Sequence, residues 1–213
     1  MLKSYFQIFA YDDECSYLRQ TRQRRSRSFV QGFLKIHYML FQDASSISAT
    51  DITGANAAFS TSSFNLRCTG SGRSGGNYTL TSTAARRATK STEAGIVVGT
   101  GTTAVTPQDY SLATQIVDGI SAGTLEHFPS SGTGLTVSNP NGSFTLERLF
   151  RNSSSGSITI NEVGVYAMVG SSASVGGETR QQSTCIIRDL VSPGFTIANG
   201  EYMRIIYTVT ITV

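Results

Sequence analysis

From Met203 to Val213 the odd positions are Met203, Ile205, Tyr207, Val209, Ile211 and Val213, and the even ones are Arg204, Ile206, Thr208, Thr210 and Thr212. A period of two sends successive side chains to opposite faces of an extended chain, so this segment has one apolar and one threonine-lined face. Asn199-Gly200 just before it is a tight-turn signal. A strand this long and this one-sided belongs to an antiparallel sheet packed on one face against a second layer. Tyr207 or Val209 replaced by aspartate is expected to be far more disruptive than Thr208 or Thr210.

The rest of the chain fits a many-turned β protein. Serine and threonine make up about a quarter of the 213 residues, 21 are glycine, only 15% are charged, and tryptophan is absent. The net charge of +3 is unevenly placed: residues 1–40 hold seven Lys/Arg against three acids, and the remainder holds ten against eleven. All the excess positive charge is therefore in the amino-terminal part. Cys15, Cys68 and Cys185 are distant and odd in number, which fits free thiols in a reducing compartment. No apolar run reaches the roughly 18–20 residues of a membrane span. The opening Met1–Phe9 is cut off by Asp12-Asp13-Glu14 and does not read as a secretory signal.

Three regions emerge. Residues 1–44 read as a basic arm, with Arg19, Arg22, Arg24, Arg25 and Arg27 ahead of an amphipathic helix over Ser28–Phe41. Phe29, Phe33, Ile36 and Leu40 follow helical spacing and mark its apolar stripe, a core face or an oligomer seam. Such an arm should be separable from the rest. Residues 45–94 read as a polar, loop-rich excursion with short strands at Asn65–Cys68 and Tyr78–Thr81. Residues 95–213 form the main domain, with strands at Gly95–Gly99, Leu125–Phe128, Gly134–Val137, Ser143–Phe150, Ser157–Met168, Thr184–Leu190, Phe195–Ile197 and Tyr202–Val213. Turns are expected at Asn139–Gly142, Asn152–Gly156, Gly170–Gly177, Ser192–Gly194 and Asn199-Gly200. This spacing predicts an antiparallel β-sandwich or jelly-roll-like fold.

Catalytic chemistry is not indicated. The two histidines are His37, on the predicted helix beside its aromatic stripe, and His127, whose neighbour Glu126 points to the other face of a strand. No His/Cys cluster has metal spacing, and Gly99-Thr100-Gly101-Thr102-Thr103 lacks the lysine of a phosphate loop. No cofactor or small-molecule substrate is expected. The arginine run suits either bidentate pairing with an acidic protein neighbour or neutralisation of DNA phosphates, the first being favoured. Within Ile158–Tyr166, Glu162 falls on the face of Ile158 and Ile160. A bulge near Gly164, or a pairing with Arg148 or Arg188, would reconcile that carboxylate with an apolar face.

Several segments are similar to structural proteins of tailed bacteriophages. They are Gly95–Leu112, with Gly99-Thr100-Gly101-Thr102-Thr103 and Pro107-Gln108-Asp109-Tyr110 inside it, Phe144–Asn152, Ile158–Tyr166, and Ile186-Ile187-Arg188-Asp189-Leu190 before the final alternating strand. Arg27–Leu34 and Thr50–Gly54 resemble the upstream part of such proteins. The resemblance implies a virion component; with no catalytic constellation beside it, the expected role is a non-enzymatic subunit, made in the host cytoplasm and assembled into a ring or lattice with copies of itself and other virion proteins. Neck or tail is the favoured position; a capsid decoration protein and a carbohydrate- or receptor-binding module of a tail fibre are the alternatives.

Overall fold

The computed structural model describes residues 2–26, 28–41, 46–60, 92–132, 134–175 and 178–212. In chain order the elements are β1 (Leu2–Tyr11), β2 (Leu18–Ser26), α1 (Gln31–Phe41), β3 (Ser46–Thr50), β4 (Asn56–Ser60), β5 (Gly95–Gly99), β6 (Glu126–His127), β7 (Ser131–Gly132), β8 (Thr136–Ser138), β9 (Asn141–Arg151), β10 (Ile158–Val175), β11 (Glu178–Ile197) and β12 (Tyr202–Thr212). One sheet of seven strands has the order β2-β1-β12-β9-β6, with β7 and β8 also paired to β9; a second of five has the order β11-β10-β4-β3, with β5 paired to β10. The fold is mainly β, of the sandwich class. The expected strands Asn65–Cys68 and Tyr78–Thr81 lie outside the described residues.

The final strand is central to the first sheet. Its register sets Tyr207 beside Phe6 and Leu146, Ile205 beside Ile8 and Arg148, and Met203 beside Ala10 and Phe150. These inner rows pack with Ile158, Ile160, Val163, Val165, Ile187, Phe195 and Ile197 of the opposite sheet to form the main core. Each large apolar side chain removed from water in this way contributes about 1.5–3 kcal/mol. The alternation holds along the strand, but the cover does not: Met203, Ile205 and Tyr207 are buried, Val209 is half-buried, and Ile211 is 53% exposed.

The described residues of the expected arm 1–44 are not separable from the rest. β1 lies between β2 and β12 and pairs with the latter from Leu2↔Ile211 to Tyr11↔Tyr202. Its alternation puts Phe6, Ile8 and Ala10 in the main core. Deleting it would open one edge of β12 and remove Phe6, Ile8 and Ala10 from the core, so the truncated chain is now expected to be destabilised and not more soluble. Long-range pairing of the two ends of the chain is a property that no local pattern announces.

Helix α1 starts at Gln31, three residues later than its expected start at Ser28. Residues 28–30 instead extend the edge of β11: Arg188 N–H donates to the Ser28 carbonyl (3.1 Å), Val30 N–H to the Ile186 carbonyl (3.2 Å), and Phe29 bridges Ile187. The helix then lies on β11 at Gly32, where any Cβ would collide with the Cys185 carbonyl. Ile36 and Met39 face a second core shared with Ala49, Ala57, Ala167 and Val169. Within the 45–94 region, β3 and β4 form a hairpin closed by Asp51, whose carboxylate accepts from Thr53 N–H (2.8 Å) and Ala55 N–H (3.0 Å).

Ser192-Pro193-Gly194 is not a turn. It lies inside β11 as a bulge: Ile160 pairs with Phe195 while Glu162 pairs with Leu190, so four residues of β11 oppose Asn161 alone. Proline and glycine mark bulges as well as turns, and their local signal is the same.

Candidate interaction surface

The segment from Thr100 to Ile116, irregular apart from isolated bridges, carries most of the Gly/Thr run and is held by many hydrogen bonds. The bulge turns Glu162 to the side of β10 where this loop crosses. Glu162 is fully buried; its carboxylate accepts from Gly101 N–H (3.2 Å), Ala113 N–H (3.0 Å), Thr114 N–H (2.7 Å) and the Arg188 Nε–H (2.9 Å). The remaining Arg188 donors reach Asp109 (2.6 Å) and the Thr103 carbonyl (2.9 Å). Leu112 N–H donates to the buried Tyr166 hydroxyl (2.7 Å). Gly101 leaves room for this arrangement, since a Cβ there would meet the Glu162 carboxylate. A buried guanidinium between two carboxylates, with the other donors and acceptors filled by backbone, makes a fixed joint. Of the two arginines open to Glu162 on sequence grounds, Arg188 is the partner.

Of the six dispersed segments singled out in the sequence, three build this joint and two more lie beside it. Gly95–Leu112 supplies the loop, Ile158–Tyr166 supplies Glu162 and Tyr166, and Ile186–Leu190 supplies Arg188. The described part of Arg27–Leu34, from Ser28 on, docks beside it through Ser28 and Val30, and Gln31 N–H donates to the Pro107 carbonyl (2.8 Å). Thr50–Gly54 lies against Tyr110: Gly54 adopts φ +86°, and a Cβ there would sit 3.2 Å from the Tyr110 hydroxyl. The residues of these segments thus serve the architecture here, as expected of motifs built of turns and strands.

The arginines divide between two roles. β2 pairs with β1 so that Arg22 lies opposite Ile8 and Arg24 opposite Phe6, both on the inward side. Arg22 donates to the Pro193 and Gly194 carbonyls with its guanidinium 5.7 Å from the Phe195 ring, and Arg24 donates to the Ser192 carbonyl. With Gln20, which donates to the Thr196 carbonyl (2.7 Å), they close the open side of the sandwich onto the β11 bulge. Arg22 and Arg24 therefore have partners within the chain, which their expected place in a docking arm did not include. The even spacing of Gln20, Arg22, Arg24 and Ser26 was the available signal, because it is a strand period. Arg25 lies opposite Tyr5 on the outer face and is exposed. Arg27 lies outside the described residues.

The helix stripe is rotated from expectation. Ile36 is buried as predicted, but Phe29 and Phe33 are half-buried and stack in a ladder with His37 at 4.1 and 4.0 Å. Leu34 and Tyr38 are 60% and 56% exposed, and the Leu40 side chain lies outside the described positions. Gly32, which carries no apolar weight in a pattern, decides which face meets β11.

Arg148 and His127 fill the other polar site inside the sandwich. Arg148 is buried and donates to the carbonyls of Phe128 (2.7 Å), Ile96 (2.8 Å) and Ala94 (3.2 Å); burial draws its pKa down to about 10, so it stays charged at neutral pH. His127 is fully buried, edge-on to Phe150, and neither ring nitrogen has a hydrogen-bond partner. Burial and then the Arg148 charge lower its pKa from 6.5 to about 3. The unfolded chain takes up a proton below pH 6.5 that the fold refuses, so this stability is present above 6.5 and is lost as pH falls towards 3. The loss should reach about 2 kcal/mol by about pH 5. His127→Leu is expected to gain about 1 kcal/mol at neutral pH and to flatten that acid slope, read by urea unfolding across the range. An unchanged slope would place the acid sensitivity elsewhere.

Among the described residues no group of three or more His, Cys, Asp or Glu could hold a metal ion. No described helix is long and apolar enough to cross a membrane. A cleft of 390 Å³ opens beside Tyr11, Glu147 and Arg204, where the latter two form an ion pair. Comparison with protein-family models, curated proteins and solved structures finds no match to this chain.

Proposed function

We propose that the chain is a non-enzymatic structural subunit of a tailed-phage virion, assembled into a ring or lattice with copies of itself and other virion proteins, at the neck or tail. The observation that carries this reading is the convergence of the phage-like segments on the Arg188–Glu162–Asp109 joint. Residues shared for chemistry would surround an open pocket; these surround a loop and immobilise it. A rigid sandwich that holds its loops in place is suited to repeated protein contacts. The acting surfaces are then the sheet edges and the exposed loops, with β1 and the two arginine clamps belonging to the scaffold. Cryo-EM of particles purified from cells that carry the gene should show symmetric, multi-copy density for this sandwich at the neck or tail. Density on the capsid surface or the fibre tips would establish one of the alternatives, and absence of the chain from purified particles would refute the reading altogether.

A further inference from the structure

We propose that β2 is a docking edge for an extended acidic segment of another chain, which adds to the seven-stranded sheet as a further antiparallel or parallel strand. The setting of this inference is the virion reading above, but its chemistry stands on the edge itself. β2 is nine residues long and, among the described residues, pairs only with β1, so toward these residues its far side presents unpaired backbone N–H and C=O groups. Except for half-buried Arg22 and buried Ser26, every residue from Leu18 to Arg25 is exposed. The single irregularity in its pairing lies at the Ala10/Tyr11 end, so the rest of the strand is regular. Regular, exposed edges of this length invite another strand.

The charge on the edge selects the occupant. β2 carries Arg19, Arg22, Arg24 and Arg25 and no acid. Arg22 and Arg24 donate to backbone carbonyls, which are neutral partners. Arg19 meets Glu201 only at 3.7 Å and is 60% exposed. Exposed Lys3 shares the outer face with Arg25, two residues along β1 from its partner Tyr5. A second copy of β2 would bring arginine against arginine, so self-pairing through this edge is disfavoured. DNA phosphates would answer the charge but offer only acceptors, leaving the carbonyls of the edge unmet. An extended segment with acidic side chains satisfies both the backbone and the charge.

The test uses the full chain with three probes: a short alternating Thr/Glu peptide, its Thr/Lys counterpart, and random-sequence duplex DNA. The Thr/Glu peptide should bind and slow amide exchange within residues 18–26, and the Thr/Lys peptide should do neither. Arg25→Glu, which leaves the Arg22 and Arg24 clamps in place, should weaken peptide binding at least tenfold with an unchanged melting temperature. Absence of Thr/Glu binding, binding without amide protection in β2, or equal affinity for Arg25→Glu would overturn the proposal. So would tighter binding of duplex DNA with a steep salt dependence, roughly 0.9 in log–log slope per phosphate contacted. These outcomes are independent of where the chain resides in a particle, so this edge can fail while the virion reading stands, and the reverse.

Discussion

Arg188→Met will destabilise the fold by about 3–5 kcal/mol, the cost of removing one partner from a buried ion pair. Methionine fills much of the same volume, so the loss reports charge and hydrogen bonding above packing. Glu162 would remain fully buried with its carboxylate facing only the N–H groups of Gly101, Ala113 and Thr114. Asp109→Asn should cost less, because Asp109 is partly exposed and Arg188 keeps Glu162. Urea unfolding of the two variants measures the difference. A loss below about 1 kcal/mol for Arg188→Met would mean that the backbone donors alone satisfy Glu162. The joint also sets an acid limit. Burial pushes the Asp109 carboxyl up, but the Thr106 N–H and the Arg188 guanidinium outweigh it and hold the pKa below 3.8. Its contribution is therefore present above pH 3.8 and disappears as pH falls through the lowered value. Proteolysis of the loop after Thr100 should accelerate in that window and in Arg188→Met.

Tyr207→Asp should cost about 5 kcal/mol or more, enough to unfold a domain of ordinary stability. Tyr207 is fully buried, its ring lies 5.4 Å from Phe6, and its hydroxyl donates to Asp189 (3.2 Å). Aspartate there would lose the ring, leave a hole, and set a second carboxylate near Asp189. Thr208→Asp on the outer face should cost less than about 1 kcal/mol, and Val209→Asp should fall between, since Val209 is only half-buried. Thermal unfolding of the three variants gives the order directly. Equal shifts for Tyr207 and Thr208 would contradict the two-faced strand.

Much of this architecture was legible in the chain because a strand writes its two faces in alternate letters. The final strand, Asn141–Arg151 and the start of β10 all carry that pattern, and the sandwich class follows from their number and spacing. Even the conflict at Glu162 was visible, as a carboxylate on an apolar face that needs a partner. Which partner it takes was decided by the fold: Arg148 and Arg188 are equivalent in sequence, and only the crossing of the Thr100–Ile116 loop over β10 brings Asp109 to the second and three backbone donors to Glu162 itself. The same limit explains the amino-terminal region. A run of arginines and an aromatic stripe read as an arm, because nothing local says that Leu2–Tyr11 will meet the last strand nearly two hundred residues away. That pairing turns two of the arginines inward as clamps and gives β2 its open edge. Local pattern encodes the face a residue presents; only the pairing of distant strands decides what stands opposite that face, since register is a relation between segments and is stored in neither of them.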